Sequence, residues 1–375
     1  MSILPNATSF KRLVDGTDTR LLASAARVLL RVLSIPYGIA IYFRNRAYDL
    51  GVRQSFSCGA PVICVGNFSL GGTGKTPLVS WIARHLMALK RHPAIVSRGY
   101  GAQQGQQSDE AAELSLILSS VQHFAHRDRI VAARKAVKNG SDVVILDDGF
   151  QHRRLARDIN IITVDATDPY GCGFLFPRGL LRESLREIRR ADAIVLTRST
   201  LVDESKRKDI RNTFQTLCST KPLIWAEADH KPMRLRQFSG VDLPIHLLNG
   251  KKVVAFAGIG NPDAFHCSLT PLDANVVAFR PFPDHHAYSN DDVTSLGGWA
   301  SQQNAELVIT TLKDLVKIQQ DELDGIPLVA VEIEIDFLVG QERIEKLIDD
   351  VVCLETTSSS SRCEACASAN GVNTS

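Results

Sequence analysis

The stretch VGNFSLGGTGKTP, residues 65–77, decides the fold class because it joins a strand-like run to a helix-like run through a glycine-rich loop. Before it, PVICVG is short, apolar and β-branched, which is typical of a buried parallel strand. Pro77 suits the first turn of the following helix, where its missing N–H removes no hydrogen bond. Apolar residues then recur at helical spacing, at Leu78, Val79, Ile82, Ala83, Leu86 and Leu89. The sequence therefore predicts a strand, a tight loop and a helix N-terminus in succession.

A loop in this position is suited to binding phosphate, because the free N–H groups and the dipole of the helix N-terminus favour an anion. Gly71, Gly72 and Gly74 allow the backbone to curl around phosphate oxygens. Lys75 would reach the β- and γ-phosphates, and the hydroxyl of Thr76 a magnesium ion. We therefore predict a nucleotide site rather than an ordinary glycine turn.

One position departs from the strict pattern G-x-x-x-x-G-K-[ST], which requires a glycine where this chain has Ser69. The serine loses some backbone freedom but adds a hydroxyl group. We therefore expect the loop to tolerate it.

The composition indicates a globular chain of one large or two ordinary domains, with 375 residues, 44% hydrophobic and 22% charged. A net charge of +2 gives no sign of a nucleic-acid partner. The basic character belongs to residues 1–54, which hold eight basic and three acidic residues.

The eight cysteines are scattered, and no signal peptide precedes them, so we expect reduced thiols in a cytoplasmic compartment. Cys363 and Cys366 form a C-x-x-C without a second pair. They lie in a Ser-rich tail, residues 353–375, whose composition predicts disorder.

The N-terminal segment RLLASAARVLLRVL predicts a basic amphipathic helix. Its polar face holds Arg20, Ser24, Arg27 and Arg31, and its apolar face holds Leu22, Ala25, Leu29, Val32 and Leu33. The arginines interrupt the apolar run, so a helix lying in a membrane interface fits better than a membrane span. The alternative is a helix that packs on the protein's own core with its arginines in solvent.

Strand-like runs alternate with helical patterns, which predicts an α/β fold with mostly parallel sheets. The first set of strands is PVICVG, HPAIVS, DVVILDD, DINIITVD and DAIVLTR, and the second is KKVVAFAG, NVVAFR, ELVITT and PLVAVEIEI. The predicted divisions are a membrane-interface segment (1–54), a nucleotide-binding domain (55–220), a linker (221–250), a second α/β domain (251–352) and the tail (353–375).

The run VVILDDGFQ ends in Asp147 and Asp148, as a Walker B strand does. An aspartate at the carboxyl end of a strand beside the phosphate loop can hold Mg²⁺ directly or through water. The alternative is that the pair caps the next turn. DINIITVD ends similarly in Asp165, but Gly149 after the pair favours the first assignment.

A kinase also needs a base for the acceptor hydroxyl, which the phosphate loop does not supply. Candidates are Asp109 and Glu110 in QSDEA, and Asp284, His285 and His286 in FPDHHAY. Either cluster alone is typical of a turn or a solvated face. Their interest depends on meeting across a cleft, which spacing cannot show.

Several arginines could meet an anionic substrate. Arg127, Arg129 and Arg134 lie in HRDRIVAARKA, and Arg178 and Arg182 lie in FPRGLLRES. The alternative for each is an ordinary surface salt bridge.

Taken together, these stretches resemble the tetraacyldisaccharide 4'-kinases, the ATP-dependent lipid A 4'-kinases. The matching pieces, in order from residue 37 to 318, are YGIAIYFRNRAYDLG, VGNFSLGGTGKTP, SRGYG, SDEA, HRDRIVAA, ILDDGFQHRRLARD, FPRGLLRES, AGIGNP, FPDHH and ITTLKDLVK. GGTGKTP and DDGFQH together are highly specific. The family's own loop also carries serine in place of the first glycine.

The resemblance implies transfer of the ATP γ-phosphate to the 4'-hydroxyl of a tetraacyldisaccharide 1-phosphate, a lipid A precursor. It implies that Asp109 is the general base and that His285 is its partner. The residues implied to hold ATP are Ser69, Leu70, Gly71, Gly72, Thr73, Gly74, Lys75 and Thr76.

The resemblance also implies magnesium and phosphate-side acids, for which the candidates beside Thr76 are Glu110, Asp147 and Asp148. Arg129 falls where the family places an arginine near the lipid's phosphate, and Arg178 is predicted to accompany it. The implied fold is two α/β/α units joined by a two-stranded linker. An N-terminal helix would dip into the cytoplasmic face of the inner membrane.

The chain departs from the family at two loops. Ser108 and Ala111 flank the acids where glycine and proline are usual, and Leu312 stands where a glutamate is usual. We expect these changes to affect loop geometry more than the type of reaction.

A second function class is a membrane-associated P-loop ATPase switch of the partitioning type. That class has a signature lysine five residues before the loop lysine, and this chain has Leu70 there. The position counts against the switch.

Overall fold

Strands and helices alternate along the computed structural model, which describes residues 7–99, 109–218, 221–260 and 262–353. The helices are α1 (Ala7–Val14), α2 (Leu21–Asp49), α3 (Lys75–Ala88), α4 (Asp109–Ile117), α5 (Arg129–Lys138), α6 (Glu204–Leu217), α7 (Pro262–Leu269), α8 (Asn290–Gln302), α9 (Leu312–Ile318) and α10 (341–353). The strands are β1 (Val62–Gly66), β2 (Pro93–Ser97), β3 (Gln122–Ala125), β4 (Val143–Asp147), β5 (Ile159–Asp165), β6 (Ala193–Thr197), β7 (Ile224–Arg236), β8 (Asp242–Pro244), β9 (Lys252–Ala257), β10 (Asn275–Pro281), β11 (Leu307–Thr311), β12 (Glu322–Leu323) and β13 (Ile326–Val339). Of the predicted tail, the structure describes only Cys353, so Cys363 and Cys366 lie outside the described residues.

The strands form one mixed sheet in the order β10-β9-β11-β13-β7-β6-β5-β1-β4-β2-β3. Neighbours are parallel on both sides of the long antiparallel pair β7–β13, which joins the two halves. The predicted α/β class and the mostly parallel sheet are confirmed. The domain boundaries stay a prediction.

The predicted strand and helix around the glycine-rich loop are β1 and α3. Every residue of β1 is buried between its parallel neighbours β4 and β5. The apolar face of α3 packs on this sheet, and of its predicted members only Leu89, just beyond the helix end, is exposed. This packing fixes the end of β1 and the start of α3, and therefore the loop between them.

The last helix, α10, packs against the first half of the molecule. Ile344, Ile348 and Val352 are buried in the same core cluster as the apolar face of α3. His85 Nε2 of α3 lies 2.8 Å from Asp349 Oδ1 of α10. The nucleotide-binding half therefore includes the end of the described chain in its core.

Helix α2 turns its apolar side outward. Leu22, Leu29 and Phe43 are 85%, 61% and 65% exposed. The helix has 29 residues and a mean hydropathy of 1.4 in its most apolar window, none of it buried, so by length and composition it could cross a bilayer. The alternative in which this face covers the protein's own core is wrong.

The opposite side of α2 is attached to the protein body. Tyr37 donates a hydrogen bond of 2.9 Å to the carbonyl of Arg182, and Arg44 pairs with the buried Glu183. Arg31 lies over the ring of Phe174, 4.8 Å from its centroid. Polar groups therefore face the protein while leucines face outward, the reverse of an ordinary surface helix.

Candidate active site

The glycine-rich loop is shaped by two glycines with left-handed backbone, Gly71 (φ +112°) and Gly74 (φ +80°). Gly74 is also the N-cap of α3, and a Cβ added there would lie 2.3 Å from Nε2 of His230. Thr73 is buried, with its hydroxyl 2.7 Å from that of Thr163. Thr73 and Gly74 thus pack against the protein, while Gly71 and Gly72 remain exposed.

Ser69 needs no glycine-like freedom in this fold. It forms an antiparallel bridge with Leu181, and the N–H of the next residue, Leu70, donates to Leu180 O at 2.7 Å. A bridge requires extended backbone, which serine adopts readily. The departure from the strict loop pattern is therefore compatible with the loop geometry.

Lys75 and Thr76 begin α3 beside the end of β4. Lys75 Nζ lies 3.6 Å from Oδ1 of Asp148. Asp148 has left-handed backbone (φ +47°), and both its carboxylate oxygens accept hydrogen bonds from Arg182, at 2.8 and 2.9 Å. Burial acts to raise the pKa of Asp148, but the charges of Lys75 and Arg182 outweigh it and hold that pKa below the ordinary value.

Asp147, the last residue of β4, is a buried carboxyl without a full set of partners. It is 4% exposed, and its Oδ1 has no hydrogen-bond partner among the described residues. Burial, and next the charge of Glu110, raise its pKa to about 7. The site therefore holds an acid that would gain from a nearby cation.

Oxygen ligands of this kind suit Mg²⁺, which usually takes one or two carboxylates and completes its shell with water and substrate phosphates. Within the described ranges, no three His, Cys, Asp or Glu side chains converge as a complete metal-binding group. Asp147, with its unpaired oxygen, could supply one carboxylate to such a cation.

The two candidate clusters for the base, one from each half of the sheet, are in contact. Nδ1 of His285 lies 3.2 Å from Oδ2 of Asp109, the first residue of α4. Lys317 Nζ of α9 lies 3.2 Å from the same oxygen. Burial acts to raise the pKa of Asp109, but the hydrogen bond with His285 and the charge of Lys317 lower it overall. The surroundings of Asp109 therefore favour its ionised form.

Two predicted arginines lie in different surroundings. Arg129 is buried, and its Nη2 is 3.4 Å from Asp148 O. Within the described part of the chain its Nε has no hydrogen-bond partner. Arg178 instead donates to Val14 O at 2.8 Å and lies over the ring of Phe174. Only Arg129 is thus brought to the end of β4, whereas Arg178 lies beside the N-terminal helices.

Sequence reasoning missed three side chains at this site. Lys313 and Lys317 lie in the quoted stretch ITTLKDLVK, four residues apart and therefore on one face of a helix. Glu113 follows Glu110 by three residues on α4, and burial, partly offset by Lys313, raises its pKa to about 7. The i, i+3 and i, i+4 spacings were the available signal.

Several known proteins are similar to this chain. A family model described as tetraacyldisaccharide-1-P 4'-kinase matches residues 26–353. The tetraacyldisaccharide 4'-kinase of Syntrophus aciditrophicus (strain SB) is 35% identical over 349 residues, covering 86% of this chain and 93% of that protein. That of Geobacter metallireducens (strain ATCC 53774 / DSM 7210 / GS-15) is 37% identical over 308 residues, with 77% and 88% covered. Among solved structures, LpxK from Aquifex aeolicus in complex with ATP gives a TM-score of 0.72 at 30% identity, with 87% and 99% covered.

Proposed function

Because the chain belongs to the tetraacyldisaccharide-1-P 4'-kinase family, we propose that Asp109 takes the proton of the acceptor hydroxyl while Lys75 and the glycine-rich loop hold ATP. The chain is a kinase of lipid A biosynthesis with ATP as donor and a hydroxyl acceptor. The alternative of a partitioning-type ATPase switch is therefore not retained. The contact of Asp109 with His285 carries the proposal, because it joins both halves at one carboxylate.

The transfer needs positioning and charge stabilisation more than covalent chemistry by the protein. Backbone N–H groups between Ser69 and Thr76, other than that of Leu70, which is bonded to Leu180 O, would surround the phosphates. Lys75 would exchange Asp148 for a phosphate oxygen. Asp109 would accept the proton of the 4'-hydroxyl as the new O–P bond forms. His285 would orient Asp109 by its hydrogen bond.

Magnesium is the metal that we propose for this site. Asp147, Asp148, Glu110 and the hydroxyl of Thr76 are the oxygen donors that would hold it, directly or through water. When bound, Mg²⁺ supplies positive charge to the β- and γ-phosphates. The unpaired oxygen of Asp147 supports its part in this set.

The raised pKa of Asp147 predicts a stability effect. The carboxyl of Asp147 has a pKa of about 7 in the folded protein, against an ordinary value of 3.8. As the pH rises from 3.8 to about 7, the unfolded chain ionises first, so the free energy of unfolding falls. In EDTA at pH 8, Asp147→Asn should raise the free energy of unfolding by about 1–3 kcal/mol. At pH 5 the gain should be much smaller. Denaturant unfolding at both pH values measures it.

Glu113→Gln is the matched control, because burial raises the pKa of the Glu113 carboxyl to about 7 as well. Both variants should be more stable than the wild type in EDTA. Mg²⁺ with ATP should narrow the gap for Asp147→Asn only, because only that variant lacks a proposed ligand. A destabilised Asp147→Asn protein in EDTA at pH 8 would contradict the raised pKa of the buried Asp147.

The acceptor that we propose is the 4'-hydroxyl of a tetraacyldisaccharide 1-phosphate in the cytoplasmic leaflet of the inner membrane. Arg129, buried with an unpaired Nε, would meet a phosphate of the lipid. Arg178 would lie near the lipid at the base of α2. Phosphoryl transfer from labelled ATP to this lipid in mixed micelles tests the activity, and failure to label it would overturn the substrate assignment.

For α2 we propose an interfacial position rather than a span. Tyr37 and Arg44 attach one side of the helix to the protein, so the helix cannot enter the bilayer without the body following. The outward leucines can enter the acyl region while that attachment remains.

Charged substitutions on the exposed face should release the protein from membranes. The double change Leu22→Glu and Leu29→Glu removes two apolar side chains and adds repulsion from anionic lipids, so vesicle affinity should fall by about 10²-fold or more. Co-sedimentation with vesicles containing anionic lipid measures the loss. Leu201→Glu, also strongly exposed but outside α2, is the matched control. Unchanged co-sedimentation of the double variant would contradict the proposal.

A further inference from the structure

Helix α9 brings two lysines to the proposed base and its partner. Lys317 Nζ is 3.2 Å from Oδ2 of Asp109, and Lys313 Nζ is 3.3 Å from Nε2 of His285. Residues four apart lie on one face of a helix, so both ammonium groups point to the same contact between the halves. Their side chains are only 19% (Lys313) and 11% (Lys317) exposed.

The start of α9 is held firmly. Leu312 is buried in the core of the second half, and Thr311 caps the helix. Asp314 is fully buried and accepts a hydrogen bond of 2.9 Å from the N–H of Gly258. The leucine that replaces the family's usual acid thus serves packing, which fixes the direction of the lysines that follow.

Hydrogen-bond chemistry then determines the state of His285. A lysine ammonium has donors only, so a hydrogen bond from Lys313 to Nε2 of His285 places the ring proton on Nδ1. That N–H can donate only to a carboxylate oxygen of Asp109, which the 3.2 Å contact identifies as Oδ2. Lys317 Nζ forms a salt bridge with the same oxygen at 3.2 Å.

We propose that Lys313 and Lys317 are positioning residues for the transfer: together they commit Oδ2 of Asp109 to His285 and Lys317, and leave Oδ1 to accept the proton of the acceptor hydroxyl. As the O–H bond breaks, its proton passes to Oδ1 and the oxygen forms the bond to the γ-phosphorus. The electron pair of the broken bond between phosphorus and the bridging oxygen leaves with ADP. This assignment rests on the proposed role of Asp109.

Steady-state kinetics with ATP and the lipid test the proposal. Lys313→Met and Lys317→Met should each lower kcat by about tenfold, as loss of one charged contact predicts, with both KM values little changed. Lys317→Arg should recover much of the loss, because a guanidinium keeps the charge and the donors. Lys346→Met, an exposed lysine on α10, should leave kcat unchanged.

Double variants separate positioning from general damage. Because Lys313 acts through His285, Lys313→Met should not lower kcat further in a His285→Ala background. For the same reason, Lys317→Met should not lower kcat further in an Asp109→Ala background. If the kcat losses of the single variants multiply in the double variants, the proposal is overturned. A raised KM for the lipid with normal kcat would also overturn it and would make the lysines lipid ligands. A fully active Asp109→Ala enzyme would instead overturn the proposed base, so the two failures are distinguishable.

A spectroscopic measurement does not depend on the activity of the variants. With ¹⁵N-labelled histidine, His285 should show a protonated Nδ1 and an unprotonated Nε2 at neutral pH in the wild type. The opposite tautomer would overturn the proposal. Lys313→Gln, whose side chain is close in length, should shift this signal if Lys313→Met proves too unstable for measurement.

Discussion

Replacing Lys75 by alanine should lower kcat/KM by about 10³-fold or more, the scale on which cationic groups act on a transferring phosphoryl group. The side chain begins α3 at the end of the glycine-rich loop, with its ammonium 3.6 Å from Asp148. The fold should survive, because Arg182 still donates two hydrogen bonds to Asp148. Turnover of ATP and lipid, with thermal unfolding alongside, measures both parts.

Lys138→Ala, an exposed lysine in the last turn of α5, is the matched control and should keep full activity. Near-normal turnover of Lys75→Ala at saturating ATP would mean that the loop does not hold the transferred phosphate. Loss of activity with a collapsed melting transition would show that Lys75 is needed for folding instead.

Replacing Asp109 by alanine should lower kcat by about 10²–10⁴-fold, the usual worth of general-base assistance, while the KM for ATP changes little. A sugar hydroxyl is a poor nucleophile at neutral pH, and Asp109, whose surroundings favour its ionised form, contacts both halves. His285→Ala should lower kcat by a smaller factor, because it removes only the hydrogen-bond partner of Asp109. The double variant should lose far less than the product of the single losses, because the pair acts as a unit.

Asp350→Ala, an exposed aspartate on α10, is the control for removal of a carboxylate and should be neutral. A fully active Asp109→Ala enzyme would move the base elsewhere, with Asp148 as the next candidate. Strictly multiplying losses for Asp109 and His285 would show that their 3.2 Å contact has no part in the reaction.

The local pattern around Lys75 was sufficient to predict β1, α3 and the loop, because strand, glycines and helical spacing are all determined within a few residues. The alternation of later strands likewise predicted the mostly parallel sheet. The contact between Asp109 and His285, 176 residues apart, depends on how two halves pack. The family resemblance supplied that pairing, which spacing alone could not.

Other features depended on tertiary contacts that local patterns do not encode. The wheel of α2 identified both of its faces but not which of them meets the protein, and Tyr37 and Arg44 decide this by bonding to residues 182 and 183. Arg178 looked equivalent to Arg182 in sequence, yet only Arg182 reaches Asp148. The roles of Arg129 and Arg178 toward lipid stay predictions.

The packing of α10 on α3 constrains the order in which the chain can fold during synthesis. The β1–α3 unit emerges from the ribosome before the second half, but part of its core consists of Ile344, Ile348 and Val352, which follow the strands of the second half in the sequence. Until those residues leave the exit tunnel, the apolar surface that they cover on the nascent chain remains open to water. The nucleotide-binding half is therefore completed only after the strands of the second half have been made.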